Sequence, residues 1–255
     1  MTLLAVERIK LFTTRSPWWC ALAALAVTIG FSALITGTAD TGELITVSSA
    51  EFGYTFGMAV IVVLAALAVT TEYRFNTIKT TFQAVPNRGA ALLAKAGVVG
   101  GLAFVIGELA GFGSWGLAKL LKPSGDLALN STADWINVAG IGVVYAIAAV
   151  IALSVGILIR HSAGAISLVL IYNLAVEQLV PLIPKVGNKI HEWMPFNVAH
   201  KFLTGTGESN GSRGGEMGPP LSDSPLSPGW ALAYFAGIAL VLLTISIVVA
   251  KRRDA

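Results

Sequence analysis

Ionisable residues standing inside apolar sequence are where chemistry would show first, and this chain has few of them. Glu108 lies near the middle of a long apolar run, where a charged carboxylate costs at least ~2.5 kcal/mol. It reads either as a cation-facing or proton-sensitive group on a transport path, or as a structural hydrogen bond to a nearby serine, tyrosine or carbonyl. Glu177 stands near the end of another run, with Asn173 one turn before it. These two either line the mouth of a pathway or cap the bend that Pro181 and Pro184 impose. Glu51 lies at the edge of a run, where solvation is enough to account for it. Enzymatic chemistry needs clustered groups, and the chain has no His-Glu-x-x-His, nucleophile elbow or paired glutamates. The lone cysteine, Cys20, excludes an internal disulfide and a zinc site built from several thiolates.

The second concentration of charge is the stretch "TTEYRFNTIKTTFQAVPNRG", residues 70–89, set between two apolar runs. On a single helix over residues 72–88, Phe75, Ile78, Phe82 and Val85 form one apolar stripe, and Glu72, Asn76, Lys79 and Gln83 form the opposite one. Pro86 is expected to end that helix. Two roles fit: an interfacial strap with its basic residues on anionic lipid, or a docking face, with Tyr73, Arg74 and Asn76, for a soluble partner.

The elements that must position these residues are membrane spans. Of 255 residues, 55% are hydrophobic and 12% charged, and the mean hydropathy is +0.75, too apolar for a water-soluble surface. The net charge of +3 does not imply nucleic acid, because the basic residues lie beside apolar runs. Six runs are long enough to cross ~30 Å of hydrocarbon as helices: residues 17–37, 51–71, 90–121, 135–159, 162–183 and 229–250. With the N-terminus inside, eleven Lys and Arg fall on the inner side and six on the outer, four of these in one long loop. Both termini and residues 72–88 are therefore expected in the cytoplasm, in a multi-pass protein of the cell's inner (plasma) membrane. The first run is longer than a signal-peptide core of ~7 to 15 residues and is expected to be a retained span. Small-xxx-small spacings, Gly97 with Gly101 and Gly107 with Gly111, are expected to pack helices closely. Residues 185–228 form an external loop. Its first part, with Ile190, Trp193, Phe196 and Phe202, suits short outer helices, and 15 of the 24 residues from Gly205 to Pro228 are Gly, Ser or Pro.

Glu72-Tyr73-Arg74, then Thr77-Ile78 with Thr80-Thr81, then Pro86 with Arg88, then Ala94-Lys95 resemble the segment that follows the second span in ABC-2 type exporter permeases, especially the six-span actinobacterial kind. Asn76 stands where that pattern usually has glycine. "LLAVERIKLFTTRSPWW" resembles the family's N-terminal elbow helix, residues 1–16 here, and "MPFNVAHKFL" its outer element before the last span. The resemblance implies an all-α polytopic membrane protein: one permease domain over residues 1–255, with six transmembrane helices, an amphipathic elbow helix, a cytoplasmic coupling helix after span two and short outer helices before span six. It implies no catalysis and no cofactor in this chain. ATP and Mg would be held by two separate ABC ATPase subunits, contacted through Glu72, Tyr73, Arg74, Asn76, Thr77, Ile78, Lys79 and Thr80, and a second permease copy or paralogue would complete the pathway. Glu108, Asn173 and Glu177 stay, on their residue types and positions alone, the candidates for a substrate pathway, beside the structural roles given above. The chain has no GxxxxGK[ST] phosphate loop of its own. The competing reading is a secondary transporter driven by an ion gradient, but such folds usually carry internal repeats, and no clear duplication is present.

Overall fold

The computed structural model describes residues 2–39, 45–85, 87–205 and 222–252. Pro86, expected to stop a helix, and most of the Gly/Ser/Pro-rich loop lie outside the described residues. Those described form helices and connections with no β-strand. Helix α1 (Leu3–Thr13) precedes the first span, α2 (Ser16–Thr38). The short α3 (Val47–Ala50) leads into α4 (Tyr54–Arg74), which is followed by α5 (Thr77–Ala84), α6 (Arg88–Leu121) and α7 (Thr132–Ile159). The fifth span, Ser162–Leu182, begins as α8 (Ser162–Ile171), passes through a π-helical turn at Tyr172–Val176 and resumes as α9 (Glu177–Leu179). Two outer helices, α10 (Gly187–His191) and α11 (Pro195–Thr204), precede the last span, α12 (Pro228–Arg252). Six of these helical stretches are long and apolar enough to cross a membrane.

The boundaries follow local chemistry. Thr2 starts α1 by accepting from the Ala5 amide, and Asn87 starts α6 by accepting from the Ala90 amide. Ser131 and Asp134 form a reciprocal capping box at the start of α7, each side chain accepting the other's backbone amide. At ~1.5 Å per residue the 34 residues of α6 extend about 51 Å, far beyond the hydrocarbon, so its ends reach past the membrane or it crosses at a tilt.

Helices α4, α6 and α7 form the centre, with more than half of their apolar windows buried. Helix α2, the fifth span and α12 are each 22% buried and lie at the periphery. Two of the expected glycines let α6 and α7 meet backbone to backbone. A Cβ on Gly107 would stand 2.6 Å from the Cα of Gly142, and one on Gly111 would stand 2.5 Å from the Val138 carbonyl oxygen. The other pair is not used this way, because Gly101 has nothing within 4 Å and Gly97 meets only Leu4. A buried polar seam crosses the same centre, where Tyr145 of α7 donates to the Tyr54 carbonyl and pairs with Thr28 of α2.

One end of the bundle gathers α1, α5, the start of α6 and the end of α12. Lys10 reaches Thr81, and Arg88 donates to the Ala250 carbonyl. At the opposite end Glu51, expected in solvent, is 2% exposed where α3 meets the bundle. Of the four apolar residues assigned to the outer helices, Phe196 and Phe202 turn into the core while Ile190 and Trp193 remain half exposed.

These contacts give two tests. Gly107→Ala is expected to lower stability by about 1–3 kcal/mol, since a neighbouring backbone cannot move aside, whereas Gly101→Ala is neutral. Thermal unfolding in detergent reads the difference. Burial pushes the Glu51 carboxyl well above the usual carboxylate range. An acid whose folded value is raised destabilises the fold as pH rises past its unfolded value of ~4.3. Wild type is therefore expected to lose stability from mildly acidic to alkaline pH more steeply than Glu51→Gln, and parallel pH profiles would contradict the assignment.

Candidate coupling site

The charged stretch after the second span is two helices, not one. Helix α4 runs through Arg74, Phe75 closes it, and Asn76 takes a left-handed conformation with φ 58° before α5 begins. Among non-glycine residues asparagine is one of the few that adopt this region readily, which explains why it can stand where the related pattern has glycine. The turn rotates the two halves of the expected stripes onto different faces. Glu72 and Tyr73 belong to the last turn of the span, and Ile78 and Phe82 alone of the apolar stripe are buried.

Glu72 faces inward, contrary to its expected place on a docking stripe. Its Oε1 accepts from Lys95 of α6 at 2.8 Å and lies 3.7 Å from Lys10 of α1. Lys95 also donates to Glu7 Oε2, and Lys10 donates to Glu7 Oε1 at 2.8 Å and to Thr81 Oγ1 of α5 at 2.9 Å. Two ammonium groups and two carboxylates thus interlock four helices. The Lys95, Glu7 and Glu72 side chains are 6%, 5% and 13% exposed, so their attraction is poorly screened by solvent. Burial raises the Glu7 carboxyl, but the Lys95 and Lys10 ammonium groups outweigh it and hold Glu7 below the usual carboxylate range.

The residues named for coupling therefore divide. Arg74, Asn76, Thr77, Lys79 and Thr80 are exposed, Glu72 and Tyr73 are partly buried, and Ile78 is buried. The Arg160 guanidinium at the α7–α8 turn lies 5.1 Å from the centre of the Tyr73 ring, tying that tyrosine to the bundle. Phe75, expected in the buried stripe, is 67% exposed at the turn, with the Arg74 guanidinium 5.5 Å from its ring centre. Aromatic and arginine side chains are the usual anchors of protein interfaces, so the exposed turn has the composition of a docking knob.

The residues named for the pathway are not brought together. Glu108 is partly exposed on the α6–α7 seam, its carboxyl lying over Gly142. Asn173 is buried in the π-helical turn. Glu177 is 2% exposed and accepts the Phe196 and Asn197 amides at 3.1 and 2.9 Å, which makes it the N-terminal cap of α11. The residue at the Pro181 bend thus caps a different helix from the one its sequence neighbourhood suggested. Glu7 and Lys95 went unrecognised as a pair because they lie 88 residues apart. The available signal was Lys95 standing alone in an apolar run, which requires an acid from elsewhere in the chain.

Removing one member of this network should strand a buried charge. Glu7→Gln is expected to cost about 3–5 kcal/mol, and a Glu7→Leu/Lys95→Leu double variant to recover most of it. Because the folded value of Glu7 is lowered, its contribution is present above the unfolded value of ~4.3 and is lost as pH falls through the lowered one. Unfolding of wild type and variants from pH 3 to 7, run as a double-mutant cycle, measures both effects.

A family described as ABC-2 family transporter protein matches residues 3–176, from α1 through the π-helical turn of the fifth span. No curated protein sequence matches the chain. The match spans more than half of the 255 residues, includes all four charges of the network and covers the first four spans and most of the fifth, the last span lying beyond it. The chain is a multi-pass membrane protein of the ABC-2 transporter family, whose membrane component is the permease.

Proposed function

We propose that this chain is the permease subunit of an ATP-driven exporter, forming the substrate pathway and coupled at the α1/α5 end to separate ATPase subunits. In this reading that end is cytoplasmic, both termini lie inside, and the protein resides in the cell's inner (plasma) membrane. Two ATPases and a second permease, identical or paralogous, complete the assembly. The peripheral spans α2, α8–α9 and α12 leave apolar faces that a second permease can cover.

The observation that carries this reading is the division of the charged stretch. Its inward side is locked by Lys95, Glu7, Glu72 and Lys10, while Arg74, Phe75, Thr77, Lys79 and Thr80 are left exposed at its tip. A docking knob moves a bundle only if it is rigidly joined to it, since packed elements shift between discrete arrangements. Here α5 is joined through Lys10–Thr81 to α1 and through buried Ile78 and Phe82 to the core.

The test is the ATPase activity of the reconstituted complex. Phe75→Ala and Arg74→Glu are expected to insert and fold like wild type, yet weaken ATPase co-purification and lower substrate-stimulated hydrolysis by about tenfold, the loss of one interface anchor. Asn76→Gly is expected to be neutral, because glycine accepts the same φ. Wild-type coupling in both knob variants, or transport by the chain alone down an ion gradient, would overturn the proposal.

A further inference from the structure

At the end of the bundle opposite the charge network, three helices each bury a hydroxyl that nothing meets. Among the described residues, Thr36 of α2, Ser48 of α3 and Ser114 of α6 have side-chain oxygens without a hydrogen-bond partner, although these residues are between 0% and 3% exposed. The Glu51 carboxyl joins them from the turn between α3 and α4. Neighbouring contacts bring the four to one level. The Trp115 backbone amide, next to Ser114, is the protein donor that acts on the Glu51 carboxyl. Ser48 and Glu51 share one turn, the Glu51 amide donating to the Ser48 carbonyl at 3.2 Å. Ser32 of α2 donates to the Ser114 carbonyl at 3.1 Å, and Thr36 lies one turn further along the same buried face of α2. Ala39, Ala50 and Ala118 belong to one apolar cluster on the far side of these oxygens, and the Thr28–Tyr145 pair lies on the near side.

We infer that Glu51, Thr36, Ser48 and Ser114 together hold one monovalent alkali cation. Buried carboxylates are paired or bound to a metal ion, and among the described residues no lysine, arginine or histidine forms an ion pair with Glu51. Lys122, the cationic residue at this end of α6, directs its ammonium to the Ala39 carbonyl at 2.7 Å. A proton on Glu51 would remove its charge but supply one O–H, which meets one acceptor and leaves the other oxygens as they are. A water molecule offers two hydrogens and no charge. A cation offsets the carboxylate and takes lone pairs from all four side chains at once. The donors are all oxygen, which suits a hard ion. The single carboxylate sets its charge at +1, because a divalent ion would leave a net positive charge buried, and Mg²⁺ in addition keeps several of its waters. Bound there, the ion joins α2, α3, the start of α4 and α6. It also offsets the cost of ionising Glu51, so the alkaline loss of stability expected above is largest in its absence. The site makes no use of an ATPase and is testable with the chain alone.

The experiment is thermal unfolding of the purified chain in detergent at alkaline pH and fixed ionic strength, with sodium, potassium, magnesium or the bulky organic cation N-methyl-D-glucamine as the chloride salt. Sodium or potassium is expected to raise the melting temperature saturably over N-methyl-D-glucamine, by about 5 °C at roughly a hundredfold excess over the dissociation constant. Dialysis against the more effective of the two, followed by elemental analysis, is expected to count one ion per chain. Glu51→Gln, which removes the charge, and Ser114→Ala and Thr36→Val, which each remove a ligand, are expected to flatten the response at least tenfold in apparent affinity. Equal melting temperatures of the wild type in sodium, potassium and N-methyl-D-glucamine would overturn the proposal and leave buried water at these oxygens. So would magnesium acting as strongly as the monovalent ions, or an unchanged response in folded Ser114→Ala and Thr36→Val proteins. Should Glu51→Gln fail to fold, the two hydroxyl variants and the wild-type comparison still decide.

Discussion

A lysine placed where water scarcely reaches, Lys95, must be met by carboxylates, and that requirement organises one whole end of this molecule. Lys95 lies about two turns inside α6, and an ammonium so placed is costly unless paired and hydrogen-bonded. Glu72 arrives from the end of α4 and Glu7 from α1, a helix that otherwise only borders the bundle. Lys10 closes the set and extends it to Thr81 of α5. Apolar packing would hold these helices in several registers of similar energy. Four interlocked charges permit one, which is the best-attested use of buried ion pairs. The position of the exposed Arg74–Phe75 turn then follows, because both its flanking helices are fixed.

The opposite end is organised by different means. Glu177 anchors α11 by capping it, α11 packs against α7 and α12, and Ser222 donates to the Asn197 carbonyl to hold the return of the chain. The π-helical turn at Tyr172–Val176 immediately precedes Glu177, whose carboxylate accepts the α11 amides. Between the two ends, glycines at 107, 111 and 142 allow α6 and α7 to approach at backbone distance. Tight contact at the centre and polar anchoring at both ends make a bundle whose parts shift together rather than independently.

The six spans were legible because bilayer thickness translates directly into run length. The expected limits fall within a few residues of the helices at Ser16–Thr38, Tyr54–Arg74, Arg88–Leu121, Thr132–Ile159, Ser162–Leu182 and Pro228–Arg252. Periodicity failed at Asn76, since a single left-handed residue rephases the helix without any proline or glycine to announce it. That error moved Glu72 from the inside to the outside and Phe75 from the outside to the inside. Glu51 was misread because its burial is created by α3 folding over the bundle, a tertiary effect absent from its immediate sequence. Likewise, pairing between Glu7 and Lys95 is a long-range fact, and spacing rules describe only neighbours on one helix.

What sets this account apart from a loose elbow lying on the membrane is the claim that α1 and α5 form one body through the Lys10–Thr81 bond and the charge network behind it. Spin labels at Arg8 and Lys79 in the reconstituted complex measure it directly. Across ATP binding and hydrolysis the Arg8–Lys79 distance is expected to stay constant. Separation of α1 from α5 during the cycle would contradict it.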